Sequence, residues 1–137
     1  MAAAEACFGR TVETFKTAAR GYSGVEALHQ MGHAYGQLVN DRVMLQLQMH
    51  VYTASVEDPD IRRVAQRGMR EVWRTAAEAS GHDAEDLREW LSIGMLCNVV
   101  AALGLAELEE PWARELMQTF TDEKETGGPR AARPRLH

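Results

Sequence analysis

A helical repeat of apolar residues, interrupted at intervals, most constrains what this chain can fold into. Side chains such as Phe8, Val12 and Phe15 recur every three to four positions, which is the repeat of an amphipathic helix. Glycines, prolines and aspartates break the repeat, and almost no segment is rich in β-branched residues. The pattern predicts an all-α fold, with about six helices in an antiparallel bundle. The predicted helices cover residues 5–20, 25–39, 42–55, 59–80, 83–103 and 111–120.

The third segment is ambiguous, because its apolar and polar residues alternate between Leu45 and Val51 as in a half-buried strand. Leu, Gln and Met favour helices, however, and no neighbouring segment resembles a partner strand. Since an isolated strand has nothing to pair with, a helix is predicted over residues 42–55.

The fourth helix has the clearest ends. Asp58 suits the N-cap, Pro59 suits the first helical position, and Asp60 favours the positive end of the helix dipole. Gly81 suits the left-handed residue that ends a helix. These four residues predict the bounds of the helix from local chemistry alone.

The second helix is predicted to bury one face. Gly32 and Gly36 lie in this helix, and each costs about 1 kcal/mol relative to Ala in a helix interior. Their missing side chains would let another helix, or a ligand, approach closely. The predicted face consists of Val25, Leu28, Gly32, Tyr35 and Val39.

The fifth helix is apolar nearly all round from Ile93 to Leu103. A helix that is apolar on every face must be covered on every face. Because a domain of this size can rarely supply that cover alone, a second chain is predicted to pack against this helix.

Charge and length exclude several classes of protein. The chain has 137 residues, with 15 Lys and Arg against 20 Asp and Glu, and a net charge of −5 argues against a nucleic-acid-binding domain. Its most apolar stretch, residues 91–105, falls short of the roughly 20 apolar residues that a membrane span needs. The two cysteines lie in apolar helical patterns and cannot form a disulfide framework, which favours a reducing, cytoplasmic setting.

The fourth helix carries a local basic patch despite the net negative charge of the chain. Acidic residues dilute the patch, and no aromatic residues alternate with it to stack on bases. A solvated face is therefore favoured over a nucleic-acid site. The patch consists of Arg62, Arg63, Arg67, Arg70 and Arg74.

Metal and nucleophilic catalysis find little support. Glu26 with His29, and His29 with His33, have spacings that place potential ligands on one helical face. A di-metal helical bundle needs a second E-x-x-H pair and further inward glutamates, which the chain lacks. Cys7 and Cys97 lie in no recognisable nucleophile motif. The chain is therefore predicted to be no enzyme, with no metal and no cofactor.

Isolated polar groups on apolar helical faces are more informative. Seven Met residues add flexible side chains of the kind that line adaptable pockets. Mostly apolar walls with a few hydrogen-bonding groups are typical of a ligand site between helices. The alternative, that each group is satisfied inside an ordinary core, stays open. The polar groups are Tyr35, Gln48, Tyr52, Trp73, Trp90 and Asn98.

Two long runs resemble the C-terminal effector domain of TetR-family transcriptional regulators. The first is MGHAYGQLVNDRVMLQLQMHVYTAS, from Met31 to Ser55, which EDPDIR follows. The second is SGHDAEDLREWLSIGMLCNVVAALGL, from Ser80 to Leu105, with WARELM after it. The resemblance extends over six helices, and it predicts an effector and dimerisation domain at residues 1–121 and a disordered tail at residues 122–137.

The resemblance implies a small hydrophobic ligand and a homodimer in which the last two helices form a four-helix bundle with a second subunit. The implied ligand-binding residues are Met31, Tyr35, Leu45, Gln48, Met49, Tyr52, Met69, Trp73 and Met95. The implied dimer interface consists of Leu96, Val99, Val100, Leu103, Trp112, Leu116 and Phe120.

The chain departs from the family at its N-terminus. No recognition helix or basic N-terminal domain is present, so contact with DNA is expected only through a helix-turn-helix domain that this chain lacks. Three functional hypotheses follow. The chain is an effector-binding module of a regulator, an interaction protein that heterodimerises with full-length regulators, or, least favoured, a metal-dependent helical enzyme.

Overall fold

The computed structural model describes the backbone of residues 1–125 and the side chains of residues 1–118. Within this part of the chain the fold is all-α, as predicted, and the third segment is a helix and not a strand. A single 3₁₀ turn, Leu105–Glu107, follows the fifth helix. The helices are α1 (Ala2–Ala19), α2 (Gly24–Leu38), α3 (Arg42–Glu57), α4 (Pro59–Ser80), α5 (Ala84–Leu103) and α6 (Pro111–Glu125).

The ends of α4 confirm the prediction from local chemistry. One carboxylate oxygen of Asp58 accepts hydrogen bonds from the backbone N–H groups of Asp60, at 2.9 Å, and Ile61, at 3.3 Å. Pro59 is the first helical residue, and Gly81 ends the helix with a left-handed φ of 66°. Asp41 caps α3 in the same way, through the N–H groups of Val43 and Met44.

The described part of the chain divides into two compact units, one of residues 1–102 and one that begins at residue 103. In the first unit, α1 packs against α2, α3 and α4 and buries the predicted stripe of Phe8, Val12 and Phe15. In the second unit, α6 packs against the 3₁₀ turn, and Leu105 and Ala113 are buried.

The predicted buried face of α2 is wrong at Val25, whose side chain is 51% exposed. Val25 lies in the first turn and at the edge of the buried face, which is centred on Leu28 and Tyr35. The predicted close approach holds at Gly32, where an added Cβ would contact Trp90 at 3.5 Å. At Gly36 no other helix comes this close, because no described atom outside its own helix lies within 4 Å of such a Cβ.

Much of the apolar surface of α5 stays uncovered. Only Leu87 and Asn98 of this helix are buried, while Val99 is 46% and Leu103 66% exposed. The apolar run that the sequence predicts to need a partner is therefore partly open to solvent in the single chain. None of the described helices is long and apolar enough to span a membrane.

The last helix reaches the end of the described backbone. Helix α6 begins at Pro111, as predicted, and continues to Glu125, four residues into the predicted tail. The rest of the predicted tail, residues 126–137, lies outside the described residues.

Candidate functional site

Five side chains from three helices meet inside the first unit and form what we call the tyrosine–amide cluster. Helix α2 supplies Tyr35, α3 supplies Gln48 and Tyr52, and α5 supplies Met95 and Asn98. The spacing of four on α3 and of three on α5 places each pair on one helical face. Helical periodicity thus presents all five side chains to a common space.

Oxygen and nitrogen atoms of the cluster are joined by short hydrogen bonds. The Tyr35 hydroxyl donates to Oδ1 of Asn98 at 2.9 Å and accepts from Nε2 of Gln48 at 2.8 Å. Nε2 of Gln48 also donates to the Tyr52 hydroxyl at 3.3 Å. The Tyr35–Asn98 bond joins residues 63 positions apart and so ties α2 to α5.

The other end of the cluster is a sulfur atom. The Tyr52 hydroxyl and Nδ2 of Asn98 each lie 3.9 Å from Sδ of Met95. A thioether is a weak hydrogen-bond acceptor. Two good donors therefore converge on one poor acceptor.

The cluster is buried at one side and accessible at the other. Asn98 is 1% and Tyr35 7% exposed, whereas Gln48, Tyr52 and Met95 are half-buried. Among the described residues, no buried side-chain nitrogen or oxygen lacks a hydrogen-bond partner. Each buried polar atom therefore has a partner, although for Nδ2 of Asn98 that partner is only the Met95 sulfur. Gln48, Tyr52 and Met95 are partly open to solvent.

Burial controls the ionisation of the two phenols. It raises the pKa of Tyr35 to about 12, against the lowering effect of the hydrogen bonds with Gln48 and Asn98. Burial also raises the pKa of Tyr52. Both hydroxyls therefore stay protonated at neutral pH and serve as hydrogen-bond donors.

An aromatic group holds α5 beside the cluster. The ring centroids of Phe15 and Tyr35 are 5.8 Å apart. Those of Phe15 and Trp90 are 5.4 Å apart, in an edge-to-face arrangement. The indole N–H of Trp90 donates to the backbone carbonyl of Leu28 at 3.0 Å. Trp90 thus fixes the first half of α5 to α2, while Asn98 fixes the second half.

The structure brings together four of the nine predicted ligand-binding residues: Tyr35, Gln48, Tyr52 and Met95. The others contribute to the core in two ways. Met31 and Leu45 are buried core residues, and Met49, Met69 and Trp73 are partly buried against the core.

Asn98 completes the cluster, although the predicted ligand set omits it. Its signal in the sequence is an amide inside the apolar run from Ile93 to Leu103. A buried amide must find hydrogen-bond partners, so such a residue marks a polar contact with another element. The sequence indicated the polarity but not that Tyr35 was the partner.

A groove that the sequence did not indicate lies between α1 and α4. This groove has a volume of about 460 Å³, and its lining includes Phe8, Val12 and Val64. Gly9 and Gly68 also line it; an added Cβ at Gly9 would enter open space, whereas one at Gly68 would overlap the Phe8 ring. None of the predicted ligand-binding residues lines it.

The histidines of α2 form no described metal centre. Nδ1 of His29 lies 4.0 Å from a carboxylate oxygen of Glu26, and both side chains are exposed. His33 contacts Gln37 at 3.4 Å. Within residues 1–118, no three His, Cys, Asp or Glu side chains come close enough to hold a metal ion.

Three arginines of α4 form hydrogen bonds or ion pairs within the chain. Arg62 donates to the backbone carbonyls of Ser55, at 2.8 Å, and Val56, at 2.7 Å, and so satisfies the C-terminal end of α3. Arg63 pairs with Asp60 and Arg74 with Glu71 on the surface of the helix. For Arg62, the sequence indicated a solvated face, and the structure shows a capping contact in addition.

Comparisons of the chain with protein-family models, with curated proteins and with solved structures give no match. The resemblance to TetR effector domains therefore stays a prediction from the residues.

Proposed function

We propose that this chain is the effector-binding and dimerisation module of a TetR-like transcriptional regulator. Its effector is a small, mostly apolar molecule that binds at the tyrosine–amide cluster. The observation that carries the proposal is the meeting of polar groups from α2, α3 and α5 inside an otherwise apolar interior. Small-molecule sites consist of apolar walls with a few placed polar groups, which is the composition found here.

Ligand binding at the cluster would alter the packing of α5. Tyr35 and Asn98 hold α5 to α2, so a ligand that replaces one of their hydrogen bonds favours a different position of α5. A regulator works by such a shift between two helix arrangements, in which the ligand binds one arrangement more tightly.

The exposed apolar side chains of α5 support homodimerisation. Val99 and Leu103 are exposed, and Leu96 and Val100 are half-buried beside them. Burying such side chains contributes about 25 cal/mol per Å² of apolar surface. On α6, Trp112 and Leu116 are also exposed. The proposed interface includes Phe120, whose side chain lies outside the described residues.

The cysteines suit the cytoplasm, where such a regulator would act. Neither Cys7 nor Cys97 forms a disulfide within the described part of the chain. Reducing conditions keep thiols in this state. We propose no enzymatic activity, metal or cofactor for the chain.

A ligand titration in thermal unfolding tests the proposed function. An effector should stabilise the wild type by about 2.7 kcal/mol at a ligand concentration of 100 Kd. Replacing Gln48→Leu removes a polar group of the cluster, so the stabilisation should fall. Gln46→Leu changes an exposed glutamine on the same helix and is the matched control. The proposal fails if no compound in a broad apolar panel stabilises the protein, or if Gln48→Leu responds like Gln46→Leu.

A second candidate is an interaction protein that heterodimerises with full-length regulators. The exposed Val99 and Leu103 favour it equally, because an uncovered helix face can accept a different chain as well as a second copy. This candidate predicts rapid subunit exchange with a regulator and no ligand-dependent stabilisation. The same titration therefore separates the two functions.

A further inference from the structure

The donors of the tyrosine–amide cluster divide into two groups. The Tyr35 hydroxyl and the Gln48 amide donate to oxygen atoms at 2.8–2.9 Å. Within the described residues, the Tyr52 hydroxyl and Nδ2 of Asn98 have no oxygen acceptor. Each donates only to Sδ of Met95, at 3.9 Å. Because Asn98 is 99% buried, water does not reach Nδ2 to act as a stronger hydrogen-bond acceptor than the sulfur.

Met95 is suited to give up this position. Its side chain is unbranched and flexible, and it is half-buried, so it can turn toward solvent without opening an enclosed void. A carbonyl oxygen has two lone pairs and accepts two hydrogen bonds at about 2.7–3.0 Å. Such an oxygen would satisfy both donors better than the sulfur does.

The surroundings favour a neutral ligand. The titratable groups that influence Tyr35 and Tyr52 are phenols and thiols, with no carboxylate or cationic side chain among them. A carboxylate ligand would lose its hydration here and meet no cation. The apolar neighbours, which include Phe15, suit the hydrocarbon part of a ligand.

From this geometry, and on the basis of the proposed effector-binding function, we propose the class of the effector. It is a neutral, apolar molecule with a carbonyl group, such as a ketone, an ester or an amide. Its carbonyl oxygen replaces the Met95 thioether as the shared acceptor for Tyr52 and Asn98. Met95 is the residue that closes the site when the ligand is absent.

A matched pair of probes tests this proposal on the full chain. Acetophenone and ethylbenzene differ only in that a carbonyl replaces a methylene group, so the ratio of their Kd values reports the acceptor contacts. Wild type should bind acetophenone about tenfold more tightly, since two hydrogen bonds contribute on the order of 1.4 kcal/mol together. Calorimetry or a thermal-shift titration measures both Kd values.

Variants assign the preference to its donors. Tyr52→Phe and Asn98→Leu should each lower the ratio severalfold, with Tyr22→Phe and Asn40→Leu as exposed controls that leave it unchanged. Met95→Leu removes the competing acceptor and should not lower the ratio. Tyr52 is half-buried, so Tyr52→Phe decides the matter if the Asn98 variant does not fold.

The outcomes separate this inference from the proposed function. If both probes bind with equal Kd values, the apolar site stands and the carbonyl preference is wrong. If the ratio survives in Tyr52→Phe and Asn98→Leu, the assignment to these donors is wrong. If neither probe binds, there is no apolar site at the cluster, and the proposed function falls together with the inference.

Discussion

The ring of Phe8 on α1 lies directly against the backbone of Gly68 on α4, in the space that a Cβ at position 68 would occupy. Such a Cβ would come within 2.7 Å of the Phe8 Cβ and would overlap the ring itself. The contact lets the two helices approach closely and buries the Phe8 side chain. Gly68 is therefore required by packing and not by backbone conformation.

Replacing Gly68→Ala should destabilise the protein by about 1–3 kcal/mol, because the methyl group forces the ring or the helix to move. Urea denaturation measures the change in the free energy of unfolding. Gly36→Ala is the matched control, since its Cβ would enter open space in the interior of a helix. That variant should gain up to about 1 kcal/mol. Equal stability of Gly68→Ala and wild type would contradict the packing argument.

Replacing Tyr35→Phe should cost about 1–3 kcal/mol, because Oδ1 of the buried Asn98 loses its donor. Tyr22→Phe removes a hydroxyl from an exposed ring and should change the stability little. Chemical denaturation of both variants provides the comparison. Indistinguishable losses in the two would mean that the Tyr35–Asn98 bond contributes nothing.

Stability should fall as the pH rises from about 10 to about 12. The pKa of Tyr35 is raised from 10.0 to about 12 in the folded protein, so the unfolded chain releases this proton first. The unfolded state then binds fewer protons, and the free energy of unfolding decreases with pH. Denaturation across this range should show a shallower decline in Tyr35→Phe than in wild type. Parallel curves would contradict the assignment.

Removing the N-cap of α4 with Asp58→Ala should destabilise the protein by about 1 kcal/mol, because two backbone N–H groups lose their acceptor. Asp58→Asn retains a capping oxygen and should lose much less. Thermal unfolding of the pair gives the difference. A loss of the same size in both would point to the charge of Asp58 and not to its hydrogen bonds.

Introducing a charge on the uncovered face of α5, with Val99→Glu, should convert the proposed dimer into a monomer, because the carboxylate would be buried without a partner. Val43→Glu is the control, since Val43 is an exposed valine on α3 outside the proposed interface. Sedimentation or light scattering measures the molecular mass. A monomeric wild type, or a dimeric Val99→Glu, would contradict the proposed interface.

Features that depend on neighbouring residues could be predicted well. The ends of α4 follow from Asp58, Pro59 and Gly81, because capping acts within one turn. The helix at residues 42–55 was predicted correctly against a strand-like alternation, since residue preferences and the lack of a partner strand outweighed the period. Val25 was misplaced because periodicity does not show where the buried face ends.

The sequence by itself determined that this chain is helical, where most helices begin and end, and that polar groups interrupt its apolar faces. These properties depend on contacts within a few residues. Only the tertiary structure decided which groups meet. Tyr35 and Asn98 lie 63 positions apart, and the Phe8 ring fills the space beside Gly68 on another helix. Helical periodicity assigns a side chain to a face, but helix packing determines what that face contacts. The candidate site exists because of that packing.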